Sequence, residues 1–366
     1  MSADEPAIDT EEPLIPAESC GEAGRADGDK ELEALRRHGF GVAYRMLGSV
    51  SEAEDLAQEA LLRLTRQEAV IDEPAAWMTT VVTRLSINVL KSARARRETY
   101  VGPWLPEPLL EDPAPGPAAR AELADSLSLA LLVLLERLTP VERAAYLLRE
   151  VFGYKYAEIA DIIEQTEVNS RQLVTRARKH LEGGRPRFDA DEAARDALLE
   201  RFLAAAEDGD LEALEELLAK DAVLYADSGG KAMAPQEPLV GAAQIARFMA
   251  AVAQVRPPSG EFESRRVKVN GQPGRLLRGP PERQPGEAER LAAEKALALL
   301  KSRDVDAEQL AALIKDARDA AAGRSTRAAH QQQAESRVLS VLTVDVVEGR
   351  IQTVRIVRNP DKLGHL

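Results

Sequence analysis

The chain has a single cysteine in 366 residues, Cys20. It lies in a polar leader, so neither a disulfide framework nor a thiolate metal site is available, and no metal or cofactor is expected. Long apolar runs are missing as well. The longest, Ser126 to Leu135, covers ten residues, about half of what a membrane-spanning helix needs. The first thirty residues carry acids in place of an apolar core, which argues against a secretory signal. A cytoplasmic protein with no membrane partner is the expectation. Histidine is scarce, and beyond residue 189 only His330 and His365 occur. Acid–base catalysis in that half would have to rest on carboxylates such as Asp221 or Asp227, and no matched pair is visible.

Positive charge is also short, since the formal net charge is −13. Its distribution matters more than its sum. Residues 1–33 hold eleven acids against Arg25 and Lys30, a local −9 that leaves only −4 for the remainder. Arg84, Lys91, Arg94, Arg96 and Arg97 form a run with no acid among them. Local basic patches of this kind are what a polyanion meets.

What is present is a succession of helical patterns. At 366 residues the chain exceeds one ordinary core, and two or three domains are expected. Residues 1–30 read as a disordered acidic leader. Ser51-Glu52-Ala53-Glu54 reads as a capping box ahead of an apolar stripe through Leu56, Ala57, Ala60, Leu61 and Leu64. Pro74 opens a further long helix, with Trp77, Val81, Leu85 and Val89 inward, that runs into the basic residues ending at Arg97. Trp77 reads as a core anchor. Prolines between Gly102 and Pro117 exclude a regular element and mark a linker.

The most informative stretch runs from Thr139 to Leu181. Thr139-Pro140-Val141-Glu142 is a capping box with proline at the first helical position. A helix from Lys155 to Ile163 follows, then a three-residue turn, Glu164-Gln165-Thr166, then a helix from Glu167 to Leu181. Ser170, Val174, Ala177 and Leu181 face inward, while Gln172, Arg176 and Lys179 face out. That is the pattern of a helix-turn-helix recognition helix. Taken alone, an outward basic face is also what a solvated helix shows.

After Gly183-Gly184-Arg185-Pro186 the character changes. Two helices broken at Asp208-Gly209-Asp210 precede strand-like runs at Val223–Tyr225, Arg265–Val269, Arg337–Val347 and Arg350–Val357, the last two joined by a hairpin signal at Glu348-Gly349. Residues 279–336 form an Ala/Glu/Leu/Lys/Arg-rich insertion, expected to be an exposed helical hairpin.

These blocks together resemble a bacterial sigma factor of the extracytoplasmic-function type, in the subgroup with a C-terminal SnoaL-like domain. The resemblance rests on Ser51 to Glu59, on Trp77 to Arg97, on the recognition helix, and on three further signatures. These are Tyr100-Val101-Gly102-Pro103-Trp104-Leu105-Pro106-Glu107-Pro108, Asp227-Ser228-Gly229-Gly230-Lys231 and Asn359-Pro360-Asp361-Lys362-Leu363. It implies a multidomain fold: two all-α sigma domains, the second a helix-turn-helix, followed by an α+β SnoaL-like cone domain with a helical insertion. The implied division is 1–30 leader, 31–99 region 2, 100–120 linker, 121–184 region 4, and 189–366 cone with its insertion at 279–336.

The resemblance also implies roles. Core RNA polymerase would be gripped by Glu54, Asp55, Gln58 and Glu59. The −10 element would be met by Arg84, Asn88, Lys91, Arg94, Arg96 and Arg97, and the −35 element by Arg171, Gln172, Thr175, Arg176, Arg178 and Lys179. Interdomain regulation would fall to Trp104, Leu105, Pro106, Glu107, Pro108, Asp227, Gly229, Gly230, Lys231, Asn359, Pro360, Asp361, Lys362 and Leu363. Arg84 stands where many of these proteins carry asparagine. Glu164 replaces a common turn glycine, and a left-handed backbone there costs a non-glycine residue roughly 1 kcal/mol.

The expected function is a sigma factor regulated in cis by its cone domain, and the alternative is a one-component DNA-binding regulator with a small ligand in the cone. A cone-fold enzyme fused to a DNA-binding unit is weighed as a third class but not expected. A polymerase-gripping helix at Ser51–Glu59 favours the first, and the third needs an acid/base pair inside the cone. Asp227 to Lys231 lacks phosphate-loop spacing and reads as a strand-end turn that also touches another domain. The tail from Asn359 reads as a docking segment rather than a frayed end.

Overall fold

The computed structural model describes residues 21–67, 69, 71–97, 99–110, 128–182, 192–255, 262–280, 295, 309, 312 and 337–366. The acidic leader up to residue 20, the linker from 111 and nearly all of the insertion lie outside the described residues.

Helices α1 (Gly21–Leu47), α2 (Val50–Thr65) and α3 (Pro74–Arg97) form the first unit. The expected leader thus yields a helix from Gly21 onward. Alanine, glutamate and lysine extend a helix cheaply once Leu35 and the residues beyond it are anchored in the core. The cap of α2 also differs from expectation. Ser49, not Ser51, accepts the Glu52 amide at 3.3 Å, because Gly48 at φ 66° turns the chain out of α1 two residues sooner.

Helices α4 (Leu129–Leu135), α5 (Pro140–Glu150), α6 (Tyr156–Ile163) and α7 (Glu167–Glu182) form the second unit. The Thr139/Glu142 capping box closes in both directions: the Glu142 amide donates to Thr139 Oγ1 at 3.3 Å, and the Thr139 amide donates to Glu142 Oε2 at 3.1 Å. Thr166 Oγ1 accepts the Asn169 amide at 3.2 Å and so caps α7. The two helical units do not have separate cores. Met78, Val82, Ile87 and Leu90 of α3 belong to one buried cluster with Leu147 of α5, Ile159, Ile162 and Ile163 of α6, and Val174 of α7.

The C-terminal unit contains α8 (Glu192–Asp208), α9 (Leu211–Leu217), α10 (Ala242–Val255) and six strands: β1 (Leu218–Asp227), β2 (Leu239–Val240), β3 (Glu263–Val269), β4 (Gln272–Gly279), β5 (Arg337–Val347) and β6 (Arg350–Val357). They form one sheet in the order β2-β1-β6-β5-β4-β3, with β1 and β6 parallel and the other neighbours antiparallel. Period-two alternation gives it two faces. Leu224, Val344, Val354 and Ile356 pack with Leu199, Phe202 and Ile245 of the helices. On the opposite face Val341, Val357 and Leu276 meet Leu105 of the linker and Leu129 of α4. Glu348-Gly349 makes the expected hairpin, both residues at positive φ. A second such hairpin, Asn270-Gly271, joins β3 to β4. Residues 280–336 connect β4 to β5, which are hydrogen-bonded neighbours.

Candidate functional site

The linker residues 100–110 are where the three units meet. The Glu107 carboxylate is buried at the N-terminus of α2, accepting the Val50 amide at 2.6 Å and the Ser49 hydroxyl at 2.9 Å. An anion there satisfies open helix amides and complements the positive end of the helix dipole. The Glu107 amide donates to Gly48 O at 2.8 Å, and Tyr44 Oη donates to Glu107 O at 2.7 Å. Burial raises the Tyr44 phenol above its ordinary pKa. The other side of this linker turn belongs to the sheet unit, since Asn270 donates to Tyr44 Oη at 2.8 Å and accepts the Leu109 amide at 3.1 Å.

A second knot forms around Asp227, fully buried at the end of β1. Its carboxylate accepts from Tyr100 Oη at 2.5 Å, from the Leu105 amide at 2.7 Å and from Lys362 Nζ at 2.7 Å. Lys362 also donates to Leu105 O, and its ammonium lies over Trp104 at 4.2 Å and Tyr100 at 5.1 Å. Asn359 caps the short 3₁₀ turn Pro360–Lys362 and donates to Tyr100 Oη at 2.8 Å. Desolvation and the Asp227 charge push the Tyr100 phenol well above the usual tyrosine range. Gly229 sits at φ 55°, where a Cβ would stand 2.5 Å from Asn359 Nδ2. Lys231 pairs with Asp361 at the surface. The buried Pro106 packs against Gly48, the buried Pro108 carbonyl lies 2.9 Å from His365 Nε2, and Leu363 enters the buried cluster under the sheet. Trp104 therefore lies between Gly48 and Lys362.

Among the polymerase and DNA candidates, Glu54, Asp55, Gln58 and Glu59 are all exposed on one face of α2, with Glu59 paired to Arg63 at 2.8 Å. Arg171, Gln172, Thr175, Arg176, Arg178 and Lys179 line the exposed side of α7. Three of these cations lean on nearby acids: Arg171 on Glu167 at 2.5 Å, Arg178 on Glu150 at 2.6 Å and Arg176 on Glu142 at 3.8 Å. The Arg171–Glu167 pair is exposed on both sides and worth about 0–1 kcal/mol, so a phosphate can displace it, whereas the Glu142 carboxylate beside Arg176 is buried. Asn88 and Lys91 are exposed on α3. Arg94, Arg96 and Arg97 fall at the end of α3, and their side chains lie outside the described residues. Arg84 is not presented to solvent alone. It reaches across to the helix-turn-helix, donating to Ile162 O at 2.9 Å and Asp161 O at 2.8 Å.

Comparison with known proteins places these features. Residues 32–96 match the sigma-70 region 2 family, residues 128–181 match sigma-70 region 4, and residues 199–275 match the SnoaL-like domain family. The ECF RNA polymerase sigma factor SigJ of Mycobacterium tuberculosis is 39% identical over 253 residues, covering 69% of this chain and 81% of its own. This chain belongs to the ECF sigma factors. The probable ECF RNA polymerase sigma factor SigI of the same species is 36% identical over 188 residues, 50% of this sigma factor and 64% of its own length. A crystal structure of M. tuberculosis SigJ superposes with TM-score 0.63 at 30% identity, covering 92% of this chain and 98% of that one. The sigma factor thus has a SnoaL-like domain fused behind regions 2 and 4.

Four residues of this sigma factor escaped the sequence reading. Asn270 sits in an Asn-Gly pair flanked by Val269 and Gln272, a strong hairpin signal that would have placed it at a sheet corner. Tyr44 gave no signal. Arg143, buried on α5, donates to Met46 O at 2.8 Å and pairs with Glu136 at 2.7 Å, joining region 4 to region 2. Val168 is 67% exposed on α7, three and four residues before Arg171 and Gln172 and therefore on their face.

Proposed function

We propose that this sigma factor docks on core RNA polymerase through the acidic face of α2, reads a −35 element with the outer face of α7 and a −10 element with α3, and is governed in cis by its SnoaL-like domain. One observation carries the cis reading. Glu107 of the linker fixes the N-terminus of α2, the helix bearing the polymerase-facing acids, while the same linker is tied through Leu105 to Asp227 and Lys362 of the C-terminal domain. A change in the SnoaL-like domain is thereby felt at the helix that must meet polymerase.

On α7, Arg171 and Gln172 suit guanine and adenine edges respectively, and Val168 adds an apolar contact for a thymine methyl. Arg178 and Lys179 suit phosphates. A non-catalytic role for the C-terminal domain is supported by the apolar, helix-filled side of its sheet and by Asp227, whose carboxylate is engaged between domains.

Transcription from a cognate promoter with purified core polymerase is the deciding assay. The full chain, or a variant with the Asp227–Lys362 knot broken, should direct initiation, and the two should differ several-fold in activity. No initiation by either would remove the sigma-factor mechanism, and equal activity would remove control by the C-terminal domain.

A further inference from the structure

Two residues 80 positions apart in sequence, one in each helical unit, meet in the fold. Arg84 on α3 and Glu164 in the helix-turn-helix turn lie 3.2 Å apart, Nη1 to Oε1. The same guanidinium donates its Nε and Nη2 hydrogens to Ile162 O and Asp161 O. Those carbonyls are among the last of α6, the ones with no intrahelical partner, and they form the negative end of its dipole. Glu164 follows directly as the C-cap, held at φ 56° and ψ 51°. Glycine is the inexpensive residue for that backbone; glutamate there gains a carboxylate aimed at Arg84.

We infer that Arg84 and Glu164 form a latch between regions 2 and 4 that holds this sigma factor closed until polymerase separates them. The inference rests on the proposed −10 role of α3 only for its consequence: the guanidinium used in the closed form is the one offered to promoter DNA in the open form. A planar fork of five donors makes Arg84 fit for the job, because its spread N–H groups reach two successive carbonyls and a carboxylate at once. The latch lies at the rim of the shared helical core. Arg84 is 46% exposed and Glu164 72% exposed, so solvent and salt screen the pair. A rim contact of that strength tunes an opening equilibrium without locking it. The buried Arg143, bonded to Met46 O and Glu136, supplies the stronger attachment behind it.

The test measures binding of the full-length chain to purified core polymerase in the absence of DNA. Glu164→Gln keeps the backbone and removes the charge, and Arg84→Ala removes the other partner. Each should bind core polymerase about 2–5-fold more tightly than the parent, in line with an exposed ion pair. The double variant should gain no more than the better single, and the gap between parent and Glu164→Gln should narrow at high salt. Unchanged affinity in both singles, or gains that multiply in the double, would overturn the latch. Promoter melting by preassembled holoenzyme separates the two readings: Arg84→Ala should be impaired there and Glu164→Gln should not. If Arg84→Ala melts promoters normally, the −10 role of Arg84 fails while the latch is still judged on polymerase binding alone. Matching thermal midpoints for the variants and the parent exclude misfolding as the cause.

Discussion

Lys362 and Asp227 lie 135 residues apart in sequence and 2.7 Å apart in the fold, both buried. The pair joins the C-terminal tail to the end of β1, and Leu105 of the linker completes it from outside the domain through its amide and its carbonyl. Removing one partner of a buried pair leaves an uncompensated charge, which costs about 3–5 kcal/mol. Asp227→Asn is therefore expected to lower the first thermal unfolding transition clearly, and Asp227→Asn/Lys362→Met to lower it less than the two single losses combined. Calorimetry of the four proteins checks this. A shift in Asp227→Asn no larger than a surface substitution gives, about 0.5 kcal/mol, would contradict it.

Glu107 acts on α2 from outside the helix. Glu107→Ala removes an acceptor for the Val50 amide and the Ser49 hydroxyl, and an N-terminal cap of this kind is worth about 1–2 kcal/mol. Glu107→Gln keeps an oxygen in place and should lose less. Hydrogen exchange in the first turn of α2 should rise in the same order as affinity for core polymerase changes. Exchange that stays at the parent rate in Glu107→Ala would rule out the capping role.

Tyr44 is a buried phenol and Tyr100 a half-buried one, and both have raised pKa values, Tyr100 further raised by the Asp227 carboxylate. An unfolded tyrosine ionises near 10. Above about pH 10 the unfolded chain therefore releases protons that the folded chain retains, and stability falls as pH rises. Below that pH both states hold the protons and the effect vanishes. Tyr100→Phe should flatten the alkaline slope by about one proton. Following tyrosinate absorbance against unfolding tests it, since the two phenols should ionise only as the protein unfolds.

Val168 yields a prediction about DNA. Thymine differs from uracil only by the C5-methyl group, and one buried methyl-sized contact is worth about 0.8 kcal/mol, roughly 4-fold. Replacing one −35 thymine by deoxyuridine should weaken binding of the parent holoenzyme by about that factor, and Val168→Ala should bind both forms alike. If no −35 position shows this difference, Val168 makes no methyl contact.

Much of this was legible in sequence because it is local. The Thr139-Pro140-Val141-Glu142 cap, the turn before Glu167 and the Glu348-Gly349 hairpin depend on neighbours within four residues, so spacing and residue type suffice. Strand β4 was not among the strand-like runs: Pro273 and Gly274 are poor strand formers, yet its position between β3 and β5 gives it partners on both sides. The cap of α2 misled because its stronger acceptor, Glu107, arrives from 57 residues away.

The sequence by itself determined the kind of parts: amphipathic helices ahead of a helix-turn-helix, a proline-rich connector and an α+β domain, each announced by periodicity and end signals. Their relation was decided only by tertiary structure. Regions 2 and 4 share one apolar core, Asp227 draws the linker and tail together, and Arg84 reaches across the surface to the end of α6. Burial and long-range pairing set these contacts, and no pattern within a single segment encodes which distant carboxylate or carbonyl will fill a vacant hydrogen-bonding position.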